Sequence, residues 1–134
     1  MKSTGFQQVS SELNDLSRVI LDSAFAVHKS LGPGLLETTY RLCLLHELRK
    51  RGMTVEQEVA LPINYDGVTL ESGYRIDLLV NDLVVVELKA VDSLLAIHQA
   101  QLLSYLKHSG KRLGLLINFN SILLKDGIRR VICG

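Results

Sequence analysis

Along residues 13–31 the apolar positions Leu13, Leu16, Val19, Ile20, Ala24, Val27 and Leu31 recur at intervals of three and four. That is the period of a helix with one buried face, and it predicts a first helix with Ser11 or Asn14 as its cap. Gly32-Pro33-Gly34 then interrupts the pattern, because proline restricts the residue before it and glycine permits a corner. A second helix is predicted over residues 35–51, with Leu36, Tyr40, Cys43, Leu44 and Leu48 inward and Gly52 as its stop.

Beyond Gly52 the period changes to two. Val55, Val59, Leu61 and Ile63 suggest a strand, and Asp66-Gly67 marks a hairpin turn before residues 68–70. Residues 74–80 and 83–90 are dense in aliphatic side chains, with Asn81-Asp82 between them as a turn signal, and predict two antiparallel strands covered on both faces. A third helix is expected over residues 93–109, with Leu94, Leu95, Ile97, Leu102, Leu103 and Leu106 as its apolar surface and Gly110 at its end. Residues 113–119 read as a buried strand, and residues 122–124 and 128–132 as strands flanking an Asp126-Gly127 turn. The order implies an α/β fold, a mixed sheet with helices packed on it. No repeat or linker divides it, so residues 1–134 are expected to form one domain, with residues 1–11 as a flexible N-terminal arm.

At 134 residues, 47% hydrophobic and 22% charged, the chain can bury a core without crosslinks and lies far from the composition of disorder. Cys43 and Cys133 are too few for a disulfide framework and fit a reducing cytoplasm, and no Cys or His spacing suggests zinc. No unbroken apolar stretch marks export or a membrane partner. The net charge of +1 does not announce a nucleic-acid binder. Basic groups cluster at Arg49-Lys50-Arg51 and within residues 107–112 and 125–130, each readable as a solvated element end.

The strongest chemical signal is Asp77 on one apolar strand with Glu87 and Lys89 on the next, since ionisable groups there are costly unless paired or metal-bound. A buried ion pair from Lys89 to either carboxylate is the plain structural alternative. Glu87 and Lys89 are two apart and share a strand face. A strict two-residue turn at Asn81-Asp82 would set Asp77 opposite Val86 and leave Glu87 on the other face. A three-residue connection over residues 81–83 sets Asp77 opposite Glu87, about 5 Å apart at Cβ. An odd offset in this hairpin is therefore expected. Two such carboxylates suit Mg²⁺ or Mn²⁺, which keep waters and accept phosphate oxygens, with the Leu88 carbonyl as a further ligand. Phosphodiester hydrolysis follows as the expected chemistry, with Lys89 orienting water and stabilising charge. Gln101 and Tyr105, four apart, share a helix face with His98, and His98 also has a plain reading as a hydrogen-bonded structural histidine.

Asp77 followed by Glu87-x-Lys89 within this element order resembles the PD-(D/E)XK nuclease superfamily. The segments Gly32-Pro33-Gly34-Leu35-Leu36-Glu37-Thr38-Thr39-Tyr40, Tyr74-Arg75-Ile76-Asp77-Leu78-Leu79-Val80, Val86-Glu87-Leu88-Lys89-Ala90 and Leu115-Leu116-Ile117-Asn118-Phe119 resemble the GxxExxY proteins within it. The resemblance covers about residues 13–133, and Ile76 stands where the superfamily's name has proline. It implies a restriction-endonuclease-like core in αα-βββ-α-β order. It further implies Asp77 and Glu87 as metal-binding acids, Lys89 as catalytic lysine and Glu37 as a helix glutamate adding to the metal site. Gln101 and Tyr105 match the Gln-x-x-x-Tyr element of the RecB-like branch, and Tyr40, Arg75 and His98 are the remaining candidates for nucleic-acid contact or site support. The function implied is a metal-dependent nuclease, with DNA favoured over RNA by analogy. Two alternatives share the fold: a catalytically silent nucleic-acid-binding or regulatory module, and a homodimeric interaction protein whose buried charges form an ion-pair network. The low net charge also points to a homodimer or a partner protein.

Overall fold

In a computed structural model describing residues 9–134, three helices pack on a five-stranded sheet. Helix α1 (Ser11–Leu31) starts two residues earlier than its apolar pattern, capped by Ser10 rather than by Ser11 or Asn14, because the Ser10 hydroxyl accepts the Leu13 N–H at 3.2 Å. Val9 packs against the core, so the end of the expected N-terminal arm is ordered, and residues 1–8 of that arm lie outside the described residues. Gly32, at φ +69°, closes the helix with its N–H on the His28 carbonyl. Helix α2 (Glu37–Lys50) starts two residues later than expected, and the extended Leu36 is 77% exposed rather than inward.

The strands are β1 (Val55–Ala60), β2 (Ile63–Tyr65), β3 (Val68–Leu70), β4 (Arg75–Val80), β5 (Val84–Lys89), β6 (Leu113–Asn118) and β7 (Ile128–Ile132). The main sheet runs β1-β4-β5-β6-β7, and β2 and β3 form a separate hairpin. Among the described residues only β5 and β6 are parallel, and such a pair needs a crossover, which α3 (Ala96–Ser109) supplies. Helices α1 and α2 cover one face of the sheet around Ile20, Leu44, Leu78 and Leu115, and α3 covers the other around Leu102, Leu106, Val85 and Leu116. This is the mixed, helix-flanked sheet expected of a restriction-endonuclease-like core.

Two further expectations differ. Residues 91–95 stay outside α3 because the buried Asn118 amide clamps Val91, accepting its N–H at 3.0 Å and donating to its carbonyl at 2.9 Å. Residues 122–124 do not form a strand; the chain makes a 3₁₀ helix, Leu124–Gly127, and β7 pairs directly with β6.

Helix α3 lies tight on the sheet over Gly114. A Cβ there would meet the fully buried Leu102 side chain at 2.8 Å. Gly114→Ala is therefore expected to lower stability by about 1–3 kcal/mol through overpacking, read as a shift in the urea midpoint. Because Leu102 adjoins Gln101, the same substitution displaces the face of α3 that meets the candidate site.

Candidate active site

The hairpin joining β4 to β5 sets the register. Asn81 and Asp82 both take positive φ, and the Leu83 N–H donates to the Val80 carbonyl at 2.9 Å. Leu83 is then one extra residue, so Val80 pairs with Val84 and Leu78 with Val86. This is the odd offset that brings Asp77 level with Glu87. The ladder stops at that rung and the two carboxylates complete it: the Asp77 N–H donates to Glu87 Oε2, and the Leu88 N–H to Asp77 Oδ2, each at 2.8 Å.

The disturbance extends into β1. Its pairs with β4 run on either side of Glu58 and Asp77, and Glu58 holds φ +50°, a left-handed conformation uncommon for glutamate. Strict alternation fails there on both strands. Val55 and Leu78 belong to the core beneath α1 and α2, whereas Val59 and Ile76 belong to the α3 core. The carboxylate pair therefore sits where the sheet opens, not within a continuous ladder.

Glu87 is 4% exposed, and burial first, then the Asp77 charge, pushes its carboxyl up to about 8. Asp77 is also raised, chiefly by burial, against lowering by the Leu88 N–H and Lys89. Glu37, in the first turn of α2, is raised by burial and by Asp77 and lowered by Lys89 and Arg41, so it shares the same field. Among the described residues the ion pairs do not include Lys89. Its ammonium donates instead to Gln101 Oε1 at 3.4 Å. The buried ion pair that would have explained these charges structurally is not formed.

Tyr105, on the same face of α3 as Gln101, has its hydroxyl raised by burial and then by Glu87 and Asp77, which places it in the field of the acids. His98 holds both of its readings. Its Nδ1 accepts the Leu95 N–H at 2.9 Å at the start of α3, and its ring lines a cavity shared with Lys89, Gln101 and Tyr105. Tyr40 is wholly buried, stacked on Phe119 at 4.8 Å, with its hydroxyl donating to the Gly32 carbonyl and accepting the Leu35 N–H. It cannot touch a ligand, but it fixes the corner that launches α2 and hence Glu37. Arg75 is exposed at the start of β4 and lines a separate hollow with Glu71 and Gly73.

Arg41 was not visible as a site residue in the sequence. Its side chain, 14% exposed, sits one helical turn after Glu37, hydrogen-bonds Gln57 Oε1 and lies 3.7 Å from Glu58. It ties the first turns of α2 to the distorted part of β1. The i to i+4 spacing from Glu37 was the available signal.

Among the described residues no three His, Cys, Asp or Glu side chains converge as a ready-made cation cage. Two carboxylates nevertheless fit Mg²⁺ or Mn²⁺, which are commonly held by one or two such groups and completed by water and phosphate oxygens. Among the described residues the buried, mutually repelling acids have no cation within ion-pair distance, so a bound one would relieve the cost of ionising them.

Among the described residues no helix is long and apolar enough to cross a membrane. Neither the curated proteins nor the solved structures compared with the chain give a match. A family model described as the PD-(D/E)XK nuclease superfamily matches residues 14–131, a span that takes in the acid pair, Lys89 and all three helices from Asn14 onward. With nearly the whole chain so matched, and with its mixed sheet carrying Asp77 and Glu87-x-Lys89 on adjacent strands, the protein belongs to the PD-(D/E)XK nuclease superfamily.

Proposed function

We propose that this chain is a divalent-metal-dependent nuclease that hydrolyses phosphodiester bonds in nucleic acid, DNA before RNA, in the manner of the GxxExxY branch of its superfamily. The observation that carries the reading is the reciprocal hold of Asp77 and Glu87 on each other's strands beside an ammonium paired with neither.

Asp77 and Glu87 would hold the cation, with the Leu88 carbonyl and Glu37 adjoining. Bound there, Mg²⁺ or Mn²⁺ supplies Lewis acidity toward the scissile phosphate and lowers the pKa of a water ligand. The chain's own residues do the rest. The backbone N–H groups of Asp77 and Leu88 each fix one carboxylate oxygen, which leaves the other oxygens for binding. Lys89 donates to the attacking water and to the phosphate oxygens as negative charge gathers on them. Gln101 steadies the ammonium, and Tyr105 stands beside the acids. A second copy or a partner protein would add the phosphate contacts that a chain of net charge +1 lacks. Several of its basic groups are already engaged at home: Arg51 and Lys50 with Glu47, Lys111 with Asp82, and Arg130 with Asn14. The free cysteines Cys43 and Cys133 fit a cytoplasmic setting.

The test is cleavage of plasmid, linear, single-stranded and branched substrates with Mg²⁺ or Mn²⁺. Cutting that a chelator stops and fresh metal restores is the expected result. Cutting that persists under chelation, or that is equal in Glu87→Ala and wild type, would overturn the assignment.

A further inference from the structure

A cavity of about 540 Å³ opens beside the acid pair, between α3 and the segment joining the small β2–β3 hairpin to β4. Its size lies within the range of sites that enclose a small organic group. Lys89 and Gln101 form part of its wall, so the cavity and the candidate active site are continuous. Two tyrosine rings, Tyr74 and Tyr105, stand 6.1 Å apart between centroids and tilted by 58°. Ile63 and Ile97 add apolar surface, and Ile97 is 67% exposed although it lies on a helix. The remaining lining groups are hydrogen-bonding and uncharged or basic: Ser104, His98 and His108. Among the described residues no carboxylate lines it.

Aromatic rings, apolar flanks, hydroxyl and amide donors and acceptors, and the absence of negative charge are what a nucleobase requires of a pocket. The adjacent ammonium is where a phosphate of the same strand would sit. A base held in a duplex is stacked and paired and cannot enter such a cavity without being extruded, whereas a single-stranded base enters freely. We infer that the cavity receives one unpaired nucleobase of the substrate strand, next to the phosphate that Lys89 engages, so that the chain selects single-stranded or flapped nucleic acid over intact duplex. This rests on the nuclease reading for the identity of the strand, but the base pocket itself is tested without cleavage.

Tyr74 is the residue to change, since it is 48% exposed and outside the metal and lysine cluster. The assay is fluorescence anisotropy of a labelled single strand, the matching blunt duplex, and an abasic strand with the same phosphates, using the cleavage-silenced Glu87→Gln protein with Mg²⁺. Single strand is expected to bind at least about tenfold more tightly than duplex or abasic strand. Adding Tyr74→Ala should weaken single-strand binding by roughly 5- to 150-fold, the range for losing one base–aromatic stack. Tyr74→Phe keeps the ring and should keep the affinity, and Tyr74→Ala should leave abasic binding unchanged. Equal binding of all three nucleic acids, or an equal loss on base-bearing and abasic strands, overturns the inference. If binding follows the expected pattern while the wild type cuts nothing, the base pocket stands and the nuclease reading falls.

Discussion

Glu87→Gln is expected to abolish metal-dependent cleavage and, in the same protein, to make the metal-free fold more stable at pH 8. The first half follows from removing one of two anionic oxygens available to the cation, which should lower the rate about a thousandfold or more, several kcal/mol of transition-state stabilisation. The second half follows from linkage. Burial and the Asp77 charge raise the Glu87 carboxyl from 4.5 to about 8. Between those values the native state retains a proton that the unfolded chain has released, so the stability of the metal-free protein falls as pH rises through that window. The loss amounts to a few kcal/mol by pH 8, at about 1.4 kcal/mol for each pH unit. A glutamine still accepts the Asp77 N–H and carries no charge to desolvate.

In chelator, the variant should therefore melt roughly 5–15 °C above wild type at pH 8 and at the same temperature near pH 4.5. Adding Mg²⁺ should raise the wild-type melting temperature and leave the variant almost unmoved. A variant no more stable than wild type at pH 8 would mean that Glu87 is compensated inside the protein, and the case for an external cation would lose its physical basis. The same protons explain a requirement on the metal: below about pH 8 a cation must displace one, so its apparent affinity should climb with pH and then level off.

That a cost of this kind can be found from the sequence explains which parts of the site were legible there. Asp77, Glu87 and Lys89 stand out because they interrupt apolar runs, and the two-residue period turns that interruption into a register requirement, which Leu83 meets. Arg41 and Glu58 send no such signal. They lie on partly exposed elements where charge is ordinary, and only the left-handed backbone of Glu58 marks the spot. Tyr74 was visible as the first residue of an expected strand and of a family-like segment, not as a partner of α3; its pairing with Tyr105 depends on how α3 lies over Gly114, which is tertiary packing. The misplaced ends have the same origin. Apolar spacing predicted α3 from residue 93, but the Asn118 amide, 27 positions from Val91, holds that stretch as a loop. Hydrophobic period reports which faces are buried; it does not report hydrogen bonds made from a distant strand.

Lys89→Ala should lower the cleavage rate by about 10²- to 10⁴-fold, the range for losing a positioned proton-transfer or charge-stabilising group. It should do so without removing the metal, and that separates it from Glu87→Gln. Two opposed electrostatic effects decide the details. The Lys89 charge lowers the carboxyls of Asp77, Glu87 and Glu37, so removing it moves all three further up. The same charge repels a cation at the acid pair, so removing it favours binding once the acids are ionised. Metal titrations should accordingly show a midpoint shifted to higher pH in Lys89→Ala, with affinity at pH 9 at least equal to wild type. Lys89→Arg keeps the charge but presents a planar fork in place of a compact ammonium, and should restore the titration midpoint while restoring little of the rate. If Lys89→Ala instead loses metal at every pH, Lys89 holds the acids in place, and the water-orienting role assigned to it is wrong.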